Sequence, residues 1–156
     1  LLHRKEVRLD PEAEMFLFLA SRAQLVREVI LPALKNGDWV ISDRFLMSNI
    51  VYQGHAGGLD IKGIRQTGEI ATCGIHPDLT LVLDIDLDTA STRMNRPLDR
   101  LESRGDEYHR KVQSGYRIEA QSERTILIDA TADKEKVHTE IIAATQSAFP
   151  DILNDS

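Results

Sequence analysis

The chain has 156 residues, enough for one domain around a single sizeable core. Its 19 Lys+Arg against 25 Asp+Glu leave a formal net charge of -6, which argues against nucleic-acid or membrane-surface binding, since both want a basic field. Cys73 is the single cysteine, so no internal disulfide can form, and a reducing cytoplasm is the expected setting. No apolar run approaches a membrane span, and the opening Leu1-Leu2-His3-Arg4-Lys5-Glu6 is not a signal peptide. Without an initiating methionine, the chain reads as a piece of something longer.

Asp10-Pro11-Glu12 predicts a helix start, with Asp10 as cap and Pro11 in the first turn, where its missing N–H costs nothing. Phe16, Leu17, Leu19, Ala20, Ala23, Leu25 and Val26 make that helix mostly apolar. Val29 to Leu34 extend it, Pro32 should kink it, and Gly37 should stop it. Trp39-Val40-Ile41-Ser42 reads as a buried strand, followed by a helix from about Phe45 to Gln53, a glycine-rich turn at 54–58 and a helix from Asp60 to about Cys73. The continuous apolar run 79–85 suits a strand covered on both faces. A short helix near 88–95, another near 105–122, a strand at 125–128 and a last helix over 133–148 complete the pattern. Strands separated by helices imply an α/β fold with a parallel sheet flanked by helices.

Three clusters could carry chemistry. Asp43 and Arg44 follow the expected strand 39–42, and the carboxyl edge of an open α/β sheet is where ligands bind. There an acid and an arginine can hold a hydrated metal ion and a phosphate side by side; a surface ion pair is the plain alternative. On the helix that follows, Ser48 and Tyr52 lie four apart, as do Asn49 and Gln53, so each pair shares a face. Phe18 and Arg22 are likewise four apart, and a ring flanked by a guanidinium can stack a base and donate to its carbonyl. Phe18 alone would also serve as ordinary core, whereas Arg22 in an apolar stretch needs a partner.

The third cluster is Arg93-Met94-Asn95-Arg96-Pro97-Leu98-Asp99-Arg100-Leu101-Glu102, part of a basic island that continues through Arg104, Arg110, Lys111 and Arg117. A solvated charged helix is one reading. Against it, Pro97 breaks regular helix, and arginine outnumbers lysine, as bidentate phosphate binding would want. A segment that closes over transferring phosphates would neutralise their charge and exclude water. Arg104, beyond this segment, reads as the solvated start of the next helix. The five histidines show no metal-ligand spacing.

The motif D-R-F-x-x-S-N-x-x-Y-Q-G at 43–54, F-x-x-x-R at 18–22 and D-R-L-E at 99–102 together resemble the thymidylate kinase family in its bacterial form. Ala20 to Val26, Ile30 to Gly37, Pro77-Asp78-Leu79-Thr80, Tyr108 and Lys111 to Tyr116 look similar as well, so the likeness runs from Glu14 to the final helix. It implies a P-loop nucleoside-monophosphate-kinase-like fold, ATP as co-substrate, Mg2+, conversion of dTMP to dTDP for nucleotide biosynthesis, and a homodimer. It further implies that Phe18 stacks on thymine, Arg22 bonds a base carbonyl, Asn49 meets the base, and Tyr52 sits under the sugar and favours a deoxyribose, with Ser48 and Gln53 in the same site. Arg44 would touch the substrate phosphate and Asp43 the magnesium shell through water. Arg96 and Arg100 would be catalytic lid residues on the ATP phosphates, with Glu102 organising a lid at about 93–105.

The sequence departs from the family in one respect: no G-x-x-x-x-G-K-[ST] loop, which cradles the ATP phosphates, occurs in it. The expectation is therefore a single incomplete domain over 1–156, lacking the first strands and inactive alone. Other P-loop nucleotide or deoxynucleoside kinases, or a non-catalytic nucleotide-binding remnant, are the alternatives.

Overall fold

A computed structural model describes residues 9–93 and 104–151. Arg96, Arg100 and Glu102 lie outside these residues, as does most of the expected lid. The described chain forms two compact units, one holding the residues up to His76 together with those up to Gly115 in the later segment, the other holding the remainder.

The first unit is helical. Helix α1 spans Pro11–Leu25 and begins where the Asp-Pro-Glu signal places it. Asp10 takes the extended cap conformation, yet its side chain makes no cap hydrogen bond; its backbone carbonyl accepts from the Glu14 N–H at 3.0 Å instead. Pro32 lacks the N–H that would continue the hydrogen-bond ladder. The helix meets it with a π turn over Val26–Ile30 before resuming as α2, Leu31–Lys35. Gly37, at φ +83°, closes the run as expected.

The segment 39–42 does not form the strand its residues predict. It runs without secondary structure, with Ile41 99 % and Trp39 65 % exposed. Strand preference in such residues reflects their fit to a pleated, half-buried surface beside a partner. Among the described residues, no strand pairs with this one.

Helix α3, Leu46–Asn49, passes directly into a second π turn, Ile50–His55. Gly57 lies so close to that turn that an added Cβ would stand 2.6 Å from the Gln53 carbonyl oxygen and 2.9 Å from that of Tyr52. Only glycine permits this backbone approach. Helix α4, Ile61–Thr72, is capped by the Asp60 carboxylate, which accepts from the N–H groups of Lys62 and Gly63 at 3.2 and 2.9 Å. The core joins Met15 and Leu19 of α1 to Leu46, Ile50, Ile64 and Ala71. Burying each large aliphatic side chain contributes about 1.5–3 kcal/mol.

The second unit carries the sheet. Strand β1, Thr80–Asp84, pairs in parallel with β2, Thr125–Asp129, in a register that sets Asp84 beside Asp129 at their carboxyl ends. Between them lie α5, Leu87–Arg93, and α6, Asp106–Glu119, whose last turn belongs to this unit. Helix α7, Lys134–Ala148, is capped by Asp133 and packs on β2. The parallel pairing and the alternation with helices are those the sequence predicts. No helix among the described residues is long and apolar enough to cross a membrane.

Candidate active site

In the first unit, α1, the 43–44 turn and the helix that follows enclose an open cleft of about 270 Å³. Phe18, Arg22, Asp43, Arg44, Ser48, Asn49, Tyr52 and Gln53, eight residues singled out from the sequence, all line it. Ser21 and Leu25 join them; both face the cleft because they lie three residues from Phe18 and Arg22 respectively on the same helix.

Arg44 sits on a backbone of φ +68°, a left-handed conformation uncommon for a non-glycine residue and concentrated at functional sites. The Ser42 hydroxyl braces this turn by donating to the Arg44 carbonyl at 3.0 Å. The Arg44 guanidinium lies 5.1 Å from the centre of the Tyr52 ring, within cation–π range. Arg44 and Asp43 are both exposed at the mouth of the cleft, where a phosphate and a hydrated cation have access. Among the described residues, no group of three or more acidic, histidine or cysteine side chains is arranged to hold a metal.

Deeper in, Arg22 is half-buried, and loss of solvent lowers its pKa from the ordinary value. Its guanidinium lies 4.9 Å from the Phe45 ring centre rather than pairing with Phe18. Phe18 remains half-buried on the cleft wall, its face uncommitted to that arginine. One Arg22 NH2 group donates to Asn49 Oδ1 at 3.0 Å, while the buried Nε–H has no hydrogen-bond partner among the described residues. A buried donor left unpaired costs about 1–3 kcal/mol, a cost that the fold carries here.

Behind the cleft runs a polar network that sequence reasoning missed. Gln53 Nε2 donates to Glu14 Oε1 at 3.0 Å, and the Arg104 guanidinium donates to Glu14 Oε2 at 2.7 Å. Glu14 is only 1 % exposed. Arg104 is thus not a solvated helix start; it is drawn inward because the buried Glu14 carboxylate needs a counter-charge. It also lies 4.9 Å from the Tyr108 ring centre and donates to the Tyr108 hydroxyl at 3.1 Å. That hydroxyl in turn donates to the Tyr52 carbonyl at 2.9 Å.

Burial raises the Tyr108 pKa above its ordinary value of 10.0, while Arg104 opposes the shift. A folded-state pKa raised above the unfolded one gives stability that is full below about pH 10 and is lost as pH rises through the folded value. Chemical denaturation between pH 9 and 11 should show this fall. Tyr108→Phe should flatten it and, at neutral pH, cost about 0.5–1.5 kcal/mol for the lost hydrogen bond.

The rest of the basic island divides among fixed partners. In the second unit, Arg93 donates to the carbonyls of Ala130, Thr131 and Ala132 at 2.6–2.9 Å, and Arg117 grips Asp84 through Nε and NH2 at 2.9 and 2.8 Å. In the first, Lys111 pairs with Glu107 one turn away at 2.9 Å. The charge density that suggested a phosphate-binding surface is therefore partly structural.

A model of the thymidylate kinase family matches residues 1–141 of the chain. The thymidylate kinase of Kosmotoga olearia is 42 % identical over 146 residues, covering 91 % of this chain and 70 % of that one. That of Caldanaerobacter subterraneus subsp. tengcongensis is 43 % identical over 149 residues, covering 94 % and 71 %. That of Chlorobaculum parvum is 38 % identical over 148 residues, covering 86 % and 68 %. Likeness at this level along nearly the whole chain, with the motif residues of 18–22 and 43–53 that line one cleft, leads to a single assignment: the chain belongs to the thymidylate kinase family.

Proposed function

We propose that this protein transfers the γ-phosphoryl group of ATP to dTMP and that the cleft of the first unit holds dTMP. The observation that carries this reading is the convergence of Phe18, Arg22, Arg44, Asn49 and Tyr52 on one cleft. Thymine presents two carbonyl oxygens, and the half-buried Arg22 guanidinium lining the cleft, which can only donate, suits such an acceptor. Phe18 offers an aromatic face for the base, and Tyr52, which lines the same cleft, would crowd a ribose 2′-hydroxyl. Arg44 then holds the substrate phosphate at the mouth, where its planar fork can bind two oxygens at once.

The carboxylate of Asp43 is a hard oxygen donor beside that phosphate, which suits a magnesium ion that keeps most of its waters. Bound magnesium would supply charge neutralisation on the phosphates. Asp43 would hold it through water, and Arg96 and Arg100 would act on the ATP side, with Glu102 organising their segment. A cytoplasmic homodimer belongs to the same reading, supported by the exposed apolar side chains Phe16 on α1 and Val29 on the π turn that follows it.

Phosphotransfer assayed in the full-length protein across the nucleoside monophosphates tests the proposal; a preference for anything but dTMP overturns it. Within that assay, Arg22→Ala should raise KM for dTMP by about tenfold to a hundredfold, the worth of a hydrogen bond from a charged donor. The value of kcat should change little, because the bond to the base is made equally in ground and transition states. An unchanged KM would place Arg22 outside the site.

A further inference from the structure

We propose that Glu14 is a positioning residue that sets the hydrogen-bond polarity of the base pocket. The proposal rests on the dTMP reading of the cleft. Four side chains form one directed line: Arg22 NH2 donates to Asn49 Oδ1 at 3.0 Å, Asn49 Nδ2 to Gln53 Oε1 at 3.3 Å, and Gln53 Nε2 to Glu14 Oε1 at 3.0 Å. Asn49 and Gln53 are each 2 % exposed and Glu14 1 %, so water is not a ready substitute for any of these partners.

The direction of the line follows from its two ends. A guanidinium can only donate, and an ionised carboxylate can only accept. Between a pure donor and a pure acceptor, both amides must point the same way. Turning either would set two N–H groups or two oxygens face to face and leave buried polar groups unpaired. This logic does not depend on telling amide nitrogen from oxygen by position. Arg104, donating to the other Glu14 oxygen at 2.7 Å, supplies a counter-charge to this buried carboxylate.

The consequence reaches the cleft. Asn49 spends its oxygen on Arg22 and one amide hydrogen on Gln53, which leaves its second amide hydrogen as a donor at the pocket, beside the Arg22 guanidinium, which can only donate. Two donors match a pyrimidine bearing a carbonyl at the 4-position and disfavour one bearing an amino group there. Glu14 touches no part of that base; it acts through Gln53 and Asn49.

Glu14→Gln keeps the shape but puts one hydrogen too many into the line. If Arg104 takes the oxygen of the new amide, the amide nitrogen at position 14 faces the Gln53 amide nitrogen, and every rearrangement ends on a donor facing a donor. Adding Gln53→Glu restores order, because the acceptor-only group has moved one place along. The amide at position 14 then donates to the new carboxylate from one side, and Asn49 donates to it from the other. Asn49 presents the same atoms to Arg22 and to the pocket as before.

Calorimetric titration of dTMP and dCMP into the wild-type protein, Glu14→Gln and Glu14→Gln/Gln53→Glu tests this. The single variant should bind dTMP about tenfold more weakly and discriminate less against dCMP, as expected from one buried hydrogen bond lost at the pocket. The double variant should recover both properties. In the full-length enzyme, the single variant should raise KM for dTMP with kcat nearly unchanged. A wild-type protein that does not bind dTMP overturns the base-pocket reading and this inference with it. A wild-type protein that binds, beside a Glu14→Gln that binds and discriminates equally well, overturns the inference alone. Should Glu14→Gln fail to fold, the double variant decides: dTMP affinity near the wild-type value supports the proposal, and weak binding by a folded double variant overturns it.

Discussion

Arg104→Ala should lower the free energy of unfolding by about 3–5 kcal/mol, the cost of removing one partner from a buried ion pair. Glu14 is 1 % exposed, and an Arg104 NH2 group lies 2.7 Å from its carboxylate. Without the guanidinium, the buried carboxylate loses a charged partner held at 2.7 Å. The same change removes the donor and the cation–π partner of Tyr108, loosening the hydroxyl that holds the Tyr52 carbonyl. Urea denaturation checks the prediction directly, as a lower midpoint at an unchanged slope. A loss below about 1 kcal/mol would show that Arg104 behaves as an exposed surface pair.

Arg96→Ala should act on the reaction instead. In the full-length enzyme at saturating ATP, kcat should fall by about a thousandfold, the lower range for an arginine that neutralises charge on a transferring phosphoryl group. Affinity for dTMP should stay near the wild-type value, because that charge develops only during the reaction. Arg96 lies outside the described residues, so the expectation is chemical: it precedes Pro97, which disfavours helical backbone at Arg96, and it sits in a run richer in arginine than in lysine. The two variants separate two roles within one basic island. Arg104→Ala should unfold more easily, whereas Arg96→Ala should keep its stability and lose turnover. A small effect on kcat would remove the lid assignment.

Local signals in the sequence mark most of the element boundaries. Asp-Pro-Glu opens α1, Asp60 and Asp133 cap their helices as their positions indicate, and the continuous apolar run after Pro77-Asp78 becomes β1. These features depend on a few neighbouring residues, so a linear reading reaches them. The membership of the cleft was legible too, because spacings of three and four along single helices already group Phe18 with Arg22 and Asn49 with Gln53.

What escaped a linear reading depends on partners far away in the chain. Trp39-Val40-Ile41-Ser42 has the composition of a buried strand, but a strand exists through its neighbour, and among the described residues none pairs with it. Glu14 reads as an ordinary acidic residue in a first helical turn. Arg104, 90 positions later, reads as one more charge in a basic run. Neither suggests the other, since a buried charge is recognised only by where its counter-charge lies. Local residue patterns were enough for the family, the helices, the two parallel strands and the side chains available for the cleft. Which of the island's described charges turn inward follows instead from burial and from contacts between residues distant in the chain.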